Sequence, residues 1–284
     1  MLKPLKKILT FFKKKRDIFF FESDHNRELI TELLSKESII GLDTEFDWRN
    51  TYKPNLSMIQ ISLNKKIILL DCIKIKNLDF LKPLLEDKNR LNIFHSVRSD
   101  TTVLFSSIGI KISNVYDIQV AEQTITNKEK QNYASLVKKY YSVNLKKSET
   151  NSDWLKRPFS KKQLDYASDD VEYLMGIYKK QTKILKKLNL LEKVFLLSKK
   201  EANLGNQDLQ VSRIKKLKKF NLKERTLFIW RETIARELNV PSSYIFKDKH
   251  LKELSAAISL RDKANIKKIL KDNELTEKIL RELQ

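Results

Sequence analysis

Helical and extended patterns alternate along the first part of this 284-residue chain and restrict how it can fold. Residues 26 to 36 have helical spacing, and the apolar run of residues 39 to 42 that follows is typical of a buried strand. Residues 58 to 63 alternate and residues 67 to 71 are apolar, so we predict two paired strands joined by a short turn. Alternation of this kind favours a layered α/β architecture with a mixed sheet.

The alternation continues to about residue 118 and then stops. A predicted helix at 78 to 86 is followed by a short strand at 91 to 94. A second predicted helix at 100 to 108 is followed by a strand at 115 to 118. From about residue 119 the patterns are helical, with Gly205 to Asp208 as the weakest stretch. We therefore expect three parts: a basic N-terminal extension at 1 to 17, an α/β domain at 18 to 203, and a small all-helical domain at 211 to 284.

Positive charge is concentrated at the two ends of the chain. The formal net charge is +21, and a lysine excess of this size attracts polyanions such as nucleic acid or anionic lipid. Residues 1 to 16 contain seven basic and no acidic residues, and residues 211 to 284 contain 19 basic against 10 acidic residues. We interpret this distribution as a central catalytic body whose ends bind phosphates, although a lysine-rich proteome would give a similar excess.

Redox and targeting signals are weak in this sequence. Cys72 is the only cysteine, so no intramolecular disulfide is expected and a core thiol is the default interpretation. No run of 18 uncharged apolar residues predicts a membrane-spanning helix, and the basic start lacks the cleavage site of a signal peptide. We expect a cytoplasmic protein. For residues 1 to 17, a solvated arm, a nucleic-acid contact and peripheral contact with a membrane surface all stay open.

An acidic pair ends the first predicted strand. Asp43 and Glu45 are two residues apart, so a strand would place both carboxylates on one face. The spacing alone is weak evidence, because 36 acidic residues in 284 give about four or five such pairs by chance. Two carboxylates this close repel each other, and a divalent cation is the usual partner that relieves the repulsion.

Three further residues complete a chemically coherent set. Asp100 follows a second apolar strand and opens a helix, where an ordinary capping role is equally compatible with the sequence. Tyr166 and Asp170 lie four apart in a strongly helical stretch and so share one helix face, as many surface pairs do. Phosphodiester cleavage with two metal ions needs about four carboxylates around ions roughly 4 Å apart, and a group that orients the attacking water.

At this point the sequence resembles ribonuclease D and the wider DEDD exonuclease family, in its tyrosine-containing branch. The first family motif is matched by LDTEF at 42 to 46 and continues in TYKPNLSMIQIS at 51 to 62. The second is matched by FHSVRSD at 94 to 100, and the third by YASDD within the longer match at 152 to 174. The resemblance covers most of residues 20 to 200 and implies a ribonuclease H-like mixed sheet with flanking helices, in a 3′-5′ exonuclease domain.

The resemblance also implies a role for each matched residue. Asp43 would bridge two divalent ions, Mg²⁺ or Mn²⁺, Glu45 and Asp170 would complete one ion, and Asp100 would hold the other. Tyr166 would orient or help deprotonate the attacking water. Since the family spacing selects Asp170, the adjacent Asp169 would point roughly 100° away around the helix.

Six neighbouring residues are weaker candidates for substrate binding. For His95, a hydrogen-bonded structural role is favoured over contact with the scissile phosphate. The others match family positions near the active cleft, with core packing as the main alternative for the tryptophan. They are Tyr52, Gln60, Lys147, Trp154 and Arg157.

The helical C-terminus carries a second resemblance. Residues 227 to 254 are similar to the helicase-and-ribonuclease-D C-terminal domain, in the segments WRE, ARELNVP and YIFKD. Helical spacing predicts a small core made by four apolar residues and an exposed face made by three arginines. The core set is Leu227, Trp230, Ile234 and Leu238, and the exposed set is Arg225, Arg231 and Arg236.

The function implied by both resemblances is a 3′-to-5′ exoribonuclease that acts on RNA with a free 3′ end. Transfer RNA precursors are the substrate that the family implies, whereas the sequence itself indicates only a polyanion. A 3′-5′ DNA exonuclease is one alternative, because the 2′-hydroxyl contacts that would discriminate against it are not visible in a sequence. An inactive nucleic-acid-binding scaffold is another, but all five catalytic positions are filled.

Overall fold

A six-stranded mixed sheet forms the centre of the computed structural model, which describes residues 16–145, 148–214 and 220–283. Helices flank the sheet, and a helical region follows it, as the sequence predicts. The strands are β1 Asp17–Phe21, β2 Ile39–Asp47, β3 Asn55–Ser62, β4 Lys66–Asp71, β5 Leu91–Phe94 and β6 Val115–Asp117.

The strand order places β2 inside the sheet, between its antiparallel and parallel parts. The order is β1-β4-β3-β2-β5-β6. β2, β3 and β4 are antiparallel neighbours, whereas β5 runs parallel to β2, β6 parallel to β5, and β1 parallel to β4. Because parallel strands end at the same edge of a sheet, the residues that follow β2, β5 and β6 are brought close together.

Helices cover both faces of the sheet over two apolar cores. One core contains the buried side chains of α1 Arg27–Ser35, α2 Lys82–Leu85 and α3 Arg98–Ile108. The other is covered by α4 Ile118–Thr126, α5 Tyr133–Tyr141, α6 Lys161–Glu172 and α7 Leu174–Lys187. α8, at Leu191–Gly205, packs against α3 and β6.

A glycine lets α7 pack closely on β2. A Cβ atom at Gly41 would lie 2.3 Å from the Ser62 Oγ and 3.1 Å from the Leu174 Cβ, well inside normal contact. The small residue therefore sets the distance between the sheet and the helix that follows α6.

The C-terminal helices form a third core that reaches into the sheet domain. The helices are α9 Leu209–Ile214, α10 Leu222–Glu237, α11 Ser242–Ile245, α12 Leu251–Ser259, α13 Lys263–Leu270 and α14 Asn273–Glu282. Tyr52, from the β2–β3 connection, is 1% exposed within this core, and Trp48 packs against it. The two regions are therefore joined by a shared apolar cluster.

Several sequence-based expectations are corrected here. Leu238 is 57% exposed rather than in the core, and Arg231 is 4% exposed rather than on the surface, because its guanidinium pairs with Asp248 and Glu232. Residues Asp17–Phe21 form β1, a strand that was not predicted. α8 runs through Gly205, so the expected linker is shorter.

The extension at 1 to 17 lies almost wholly outside the described residues, apart from Arg16 and Asp17. Among the helices that the structure describes, none is both long and apolar enough to cross a membrane.

Candidate active site

Two carboxylates of β2 and one of α6 converge on one point. Asp43 and Glu45 project from the same face of β2, as residues two apart in a strand must. Asp170 of α6 faces them, and one carboxylate oxygen from each of the three residues lies within 4.8 Å of the others. The adjacent Asp169 is not part of this group. The set contains only oxygen ligands, which suits Mg²⁺ or Mn²⁺.

A fourth carboxylate lies beside this group. Asp100, in the first turn of α3, is 4% exposed. The Thr44 Oγ1 donates a hydrogen bond to the Asp100 Oδ1 at 2.7 Å. Asp100 is thereby tied to the strand that carries Asp43 and Glu45.

The turn that presents Asp100 is held by a residue that sequence reasoning missed. The buried Asp117 carboxylate accepts hydrogen bonds from the backbone N–H groups of Ser96 and Val97, both at 3.0 Å. It also caps α4 by accepting from the Gln119 N–H at 2.8 Å. The sequence did offer a signal for Asp117, since it is an acid at the end of an apolar strand, and the carboxyl ends of parallel strands lie at the same edge of a sheet.

Tyr166 and Asp170 share one face of α6. The helix begins with a capping box in which Ser160 and Gln163 satisfy each other's backbone N–H groups. The Tyr166 hydroxyl lies 3.3 Å from the Thr150 Oγ1, on the helix face that Tyr166 shares with Asp170. The tyrosine therefore lies beside the acidic group.

Burial and mutual repulsion raise the pKa values of the four acids. Burial, and then repulsion from Asp100, raises the pKa of Asp43 well above its usual value. Burial, and then repulsion from Asp170, raises the pKa of Glu45 to about 9. Burial also raises the pKa of Asp100 and that of Asp170 to about 7. Excess negative charge of this kind is what a bound divalent cation neutralises.

Burial, followed by repulsion from Asp170, also raises the pKa of the Tyr166 hydroxyl. The hydroxyl therefore keeps its proton at neutral pH and acts as a donor in the site described here.

The weaker substrate candidates have other roles in the structure. The His95 Nε2 is 3.0 Å from the Gln131 carbonyl oxygen, and burial lowers the pKa of its ring, in keeping with the favoured structural role. Arg157 pairs with the buried Asp71 instead of facing solvent. Lys147 lies outside the described residues.

Three more of these candidates are buried in the structure, and their assignment to substrate binding stays a prediction. Trp154 is 3% exposed and packs near the Tyr166 ring. Tyr52 is enclosed by the C-terminal helices. Gln60 is fully buried on β3, directly opposite Asp43 in the strand register.

Comparisons with known proteins identify the family of the chain. A family model described as 3′-5′ exonuclease matches residues 18–186, and an HRDC domain model matches residues 224–279. The chain therefore belongs to the 3′-5′ exonuclease family.

Within that family the chain is similar to ribonuclease D. It is 31% identical over 257 residues to the ribonuclease D of Desulfotalea psychrophila, covering 85% of this chain and 67% of that protein. Across eight ribonuclease D relatives, the chain spans between 58% and 67% of the relative's own length.

Solved structures share the fold. The exoribonuclease RNase D of Escherichia coli superposes with a TM-score of 0.77 at 24% identity, over 86% of this chain and 67% of that chain. The structure of Brucella melitensis NrnC with bound Mg²⁺ gives a TM-score of 0.56 at 20% identity, over 72% of this chain and 98% of that chain. The mixed sheet with flanking helices is thus the ribonuclease H-like fold that the sequence predicts.

Proposed function

We propose that this protein is a 3′-to-5′ exoribonuclease that hydrolyses the terminal phosphodiester bond of RNA with two divalent metal ions, Mg²⁺ or Mn²⁺. The observation that carries the proposal is the convergence of Asp43, Glu45 and Asp170 within 4.8 Å, with Asp100 beside them. Family membership and the similarity to ribonuclease D support the same activity.

The donor set fits a pair of divalent ions. Besides burial, repulsion from Asp100, Asp170 and Glu45 raises the pKa of Asp43, so Asp43 is close to all three acids and is the residue that we assign to both ions. Glu45 and Asp170 would complete one site, and Asp100 would complete the other. When bound, the ions supply a water of lowered pKa and neutralise charge on the phosphate.

The remaining chemistry belongs to the side chains. Tyr166 shares one face of α6 with Asp170, and it can present its protonated hydroxyl to the attacking water. Thr44 and Asp117 keep the Asp100 carboxylate in place from opposite ends of its turn. This support fixes the acids before substrate arrives, which limits the reorganisation needed during the reaction.

Transfer RNA precursors are the substrate that we propose, because the named relatives are ribonuclease D proteins. The basic C-terminal region, with its HRDC match at 224–279, is the part that we assign to binding the body of a structured RNA. Domain boundaries at 18 to 203 and 211 to 284 belong to the same proposal.

The test is degradation of a 3′-extended, structured RNA labelled at its 5′ end, in the presence of Mg²⁺. Wild type should release nucleotides one at a time from the 3′ end, and Asp43→Asn and Tyr166→Phe should slow that release. Asp169→Asn removes an adjacent carboxylate outside the group and is the matched control. Equal rates for wild type and Asp43→Asn would contradict the proposal, and faster degradation of DNA of the same sequence would favour a deoxyribonuclease.

A further inference from the structure

We infer that a cavity between the β2–β3 connection and the C-terminal helices binds one unpaired nucleobase of the RNA, upstream of the bond that is cut. This inference rests on the proposed exoribonuclease function. The cavity has a volume of about 540 Å³, and its lining includes Trp48 from the connection and Arg213, Phe228 and Arg231 from the C-terminal region. Its volume falls within the range of about 300 to 1,000 Å³ that is typical of small-ligand sites, which commonly lie between domains.

The lining has the chemistry of a base site. Trp48 is a partly exposed aromatic residue of the lining, and every nucleobase has a face that can stack on such a ring. The Trp48 indole is held in place because its Nε1 donates a hydrogen bond to the Tyr52 carbonyl oxygen at 3.0 Å. The Arg213 guanidinium lies 5.9 Å from the Trp48 ring. A rigid indole beside a guanidinium is a suitable platform for a neutral aromatic ring.

Charge in the cavity favours a base over a phosphate. Arg213 donates to the Glu232 carboxylate at 2.8 Å, and Arg231 donates to the Asp248 carboxylate at 2.6 Å. Each guanidinium is therefore paired with an acid, so the cavity offers little net positive charge to a phosphate.

The cavity lies close to the reaction centre. Trp48 is three residues beyond the candidate ligand Glu45, and three extended residues span at most about 11 Å. Lys247 and Lys249 are exposed on either side of Asp248, which lies at the cavity. An RNA strand that leaves the metal site past Trp48 would thus reach the base cavity first. The two lysines beside the cavity could then bind its phosphates.

A binding experiment without catalysis tests this inference. The Asp43→Asn protein is titrated into single-stranded RNAs that carry the fluorescent base 2-aminopurine at successive positions from the 3′ end. Stacking on Trp48 should quench the fluorescence strongly at one internal position and weakly at its neighbours. Trp48→Phe in the same protein should keep most of the binding, and Trp48→Leu should weaken it about tenfold, in line with the loss of one base–aromatic stack.

A second variant keeps the test independent of folding. Ser243 is an exposed residue of the cavity lining, so Ser243→Leu narrows the cavity while leaving Trp48 unchanged. It should abolish the position-specific quenching and raise KM for long RNA about tenfold with kcat unchanged, whereas hydrolysis of a dinucleotide should be unaffected. Ser35→Leu, at an exposed site on α1, is the matched control and should behave as wild type.

The outcomes separate the two proposals. Uniform quenching at all positions, or quenching that survives Ser243→Leu, would overturn the base cavity. Position-specific quenching in a protein whose wild type degrades no RNA would reject the exonuclease function and keep the cavity.

Discussion

Loss of the Arg157 guanidinium should destabilise the protein more than it affects substrate binding. The Arg157 Nε donates to the Asp71 Oδ2 at 2.6 Å, and the Nη2 donates to the Oδ1 at 2.9 Å. The Asp71 side chain is fully buried, and that of Arg157 is 14% exposed. The guanidinium also donates to the Trp154 carbonyl oxygen and lies 3.7 Å from the Phe159 ring centre. Arg157 thereby ties the segment that leads into α6 to the sheet.

The expected loss in the free energy of unfolding depends on the hydrogen bonds that Asp71 retains. Removing one partner of a buried ion pair costs about 3 to 5 kcal/mol. In Arg157→Gln the Asp71 Oδ1 would keep the backbone N–H groups of Ile73 and Lys74, at 3.0 and 3.1 Å, whereas the Oδ2 would lose its donor. We therefore expect the lower end, about 3 kcal/mol, in urea unfolding at neutral pH.

A double variant makes this prediction specific. Asp71→Asn combined with Arg157→Gln leaves no buried charge and should recover part of the lost free energy of unfolding. If Arg157→Gln lowers the free energy of unfolding by less than about 1 kcal/mol and instead raises KM for RNA, Arg157 contacts substrate and the structural argument fails.

Three further predictions test the metal site, the contact between the two regions and the packing of α7 on β2. The pKa of Glu45 is raised to about 9 and that of Asp100 to about 7. Above about pH 4 the folded state therefore binds more protons than the unfolded chain. Without metal, the free energy of unfolding should fall as the pH rises from about 4 to about 9. Calorimetry should show the Mg²⁺-induced increase in Tm growing from pH 5.5 to pH 8, and a constant increase would contradict the assigned ligands. Tyr52→Phe removes a hydroxyl that donates to the buried Glu232 at 3.1 Å and should cost about 1 kcal/mol in denaturant unfolding; no change would show that the bond is not formed in solution. Gly41→Ala should lower Tm and reduce activity, since the added Cβ would meet the Ser62 Oγ at 2.3 Å; an unchanged Tm would mean that α7 can move away at little cost.

Most of the fold was accessible from sequence because its strands have distinct apolar patterns. β2 to β6 all overlap segments that periodicity predicts, and the edge shared by β2 and β5 explains why Asp43 and Asp100 meet. β1 was missed because its DIFFF sequence does not alternate and directly follows a basic stretch that dominates the local composition. Edge strands of this kind are defined by their pairing partner, here β4, more than by their own pattern.

The site was less accessible, because burial and pairing depend on tertiary contacts. A motif match could suggest that Tyr52 and Arg157 lie near the cleft, but their partners, Glu232 and Asp71, are 180 and 86 residues away in the chain. Helical spacing also placed Arg231 on the surface, whereas two acids allow it to be buried. Asp117 belongs to no motif that the sequence analysis used. Only the structure reveals that its carboxylate accepts hydrogen bonds from four backbone N–H groups.

The burial of Tyr52 among the C-terminal helices has a practical consequence for anyone who wants the nuclease domain alone. Cutting the chain after α8 would remove Glu232 and the apolar residues around Tyr52, and would leave the rings of Trp48 and Tyr52 in water on a loop directly beyond Glu45. Newly exposed aromatic surface of this kind promotes aggregation. A minimal fragment would therefore need polar replacements at both positions to remain monodisperse, and its loop would have to be rigidified by other means.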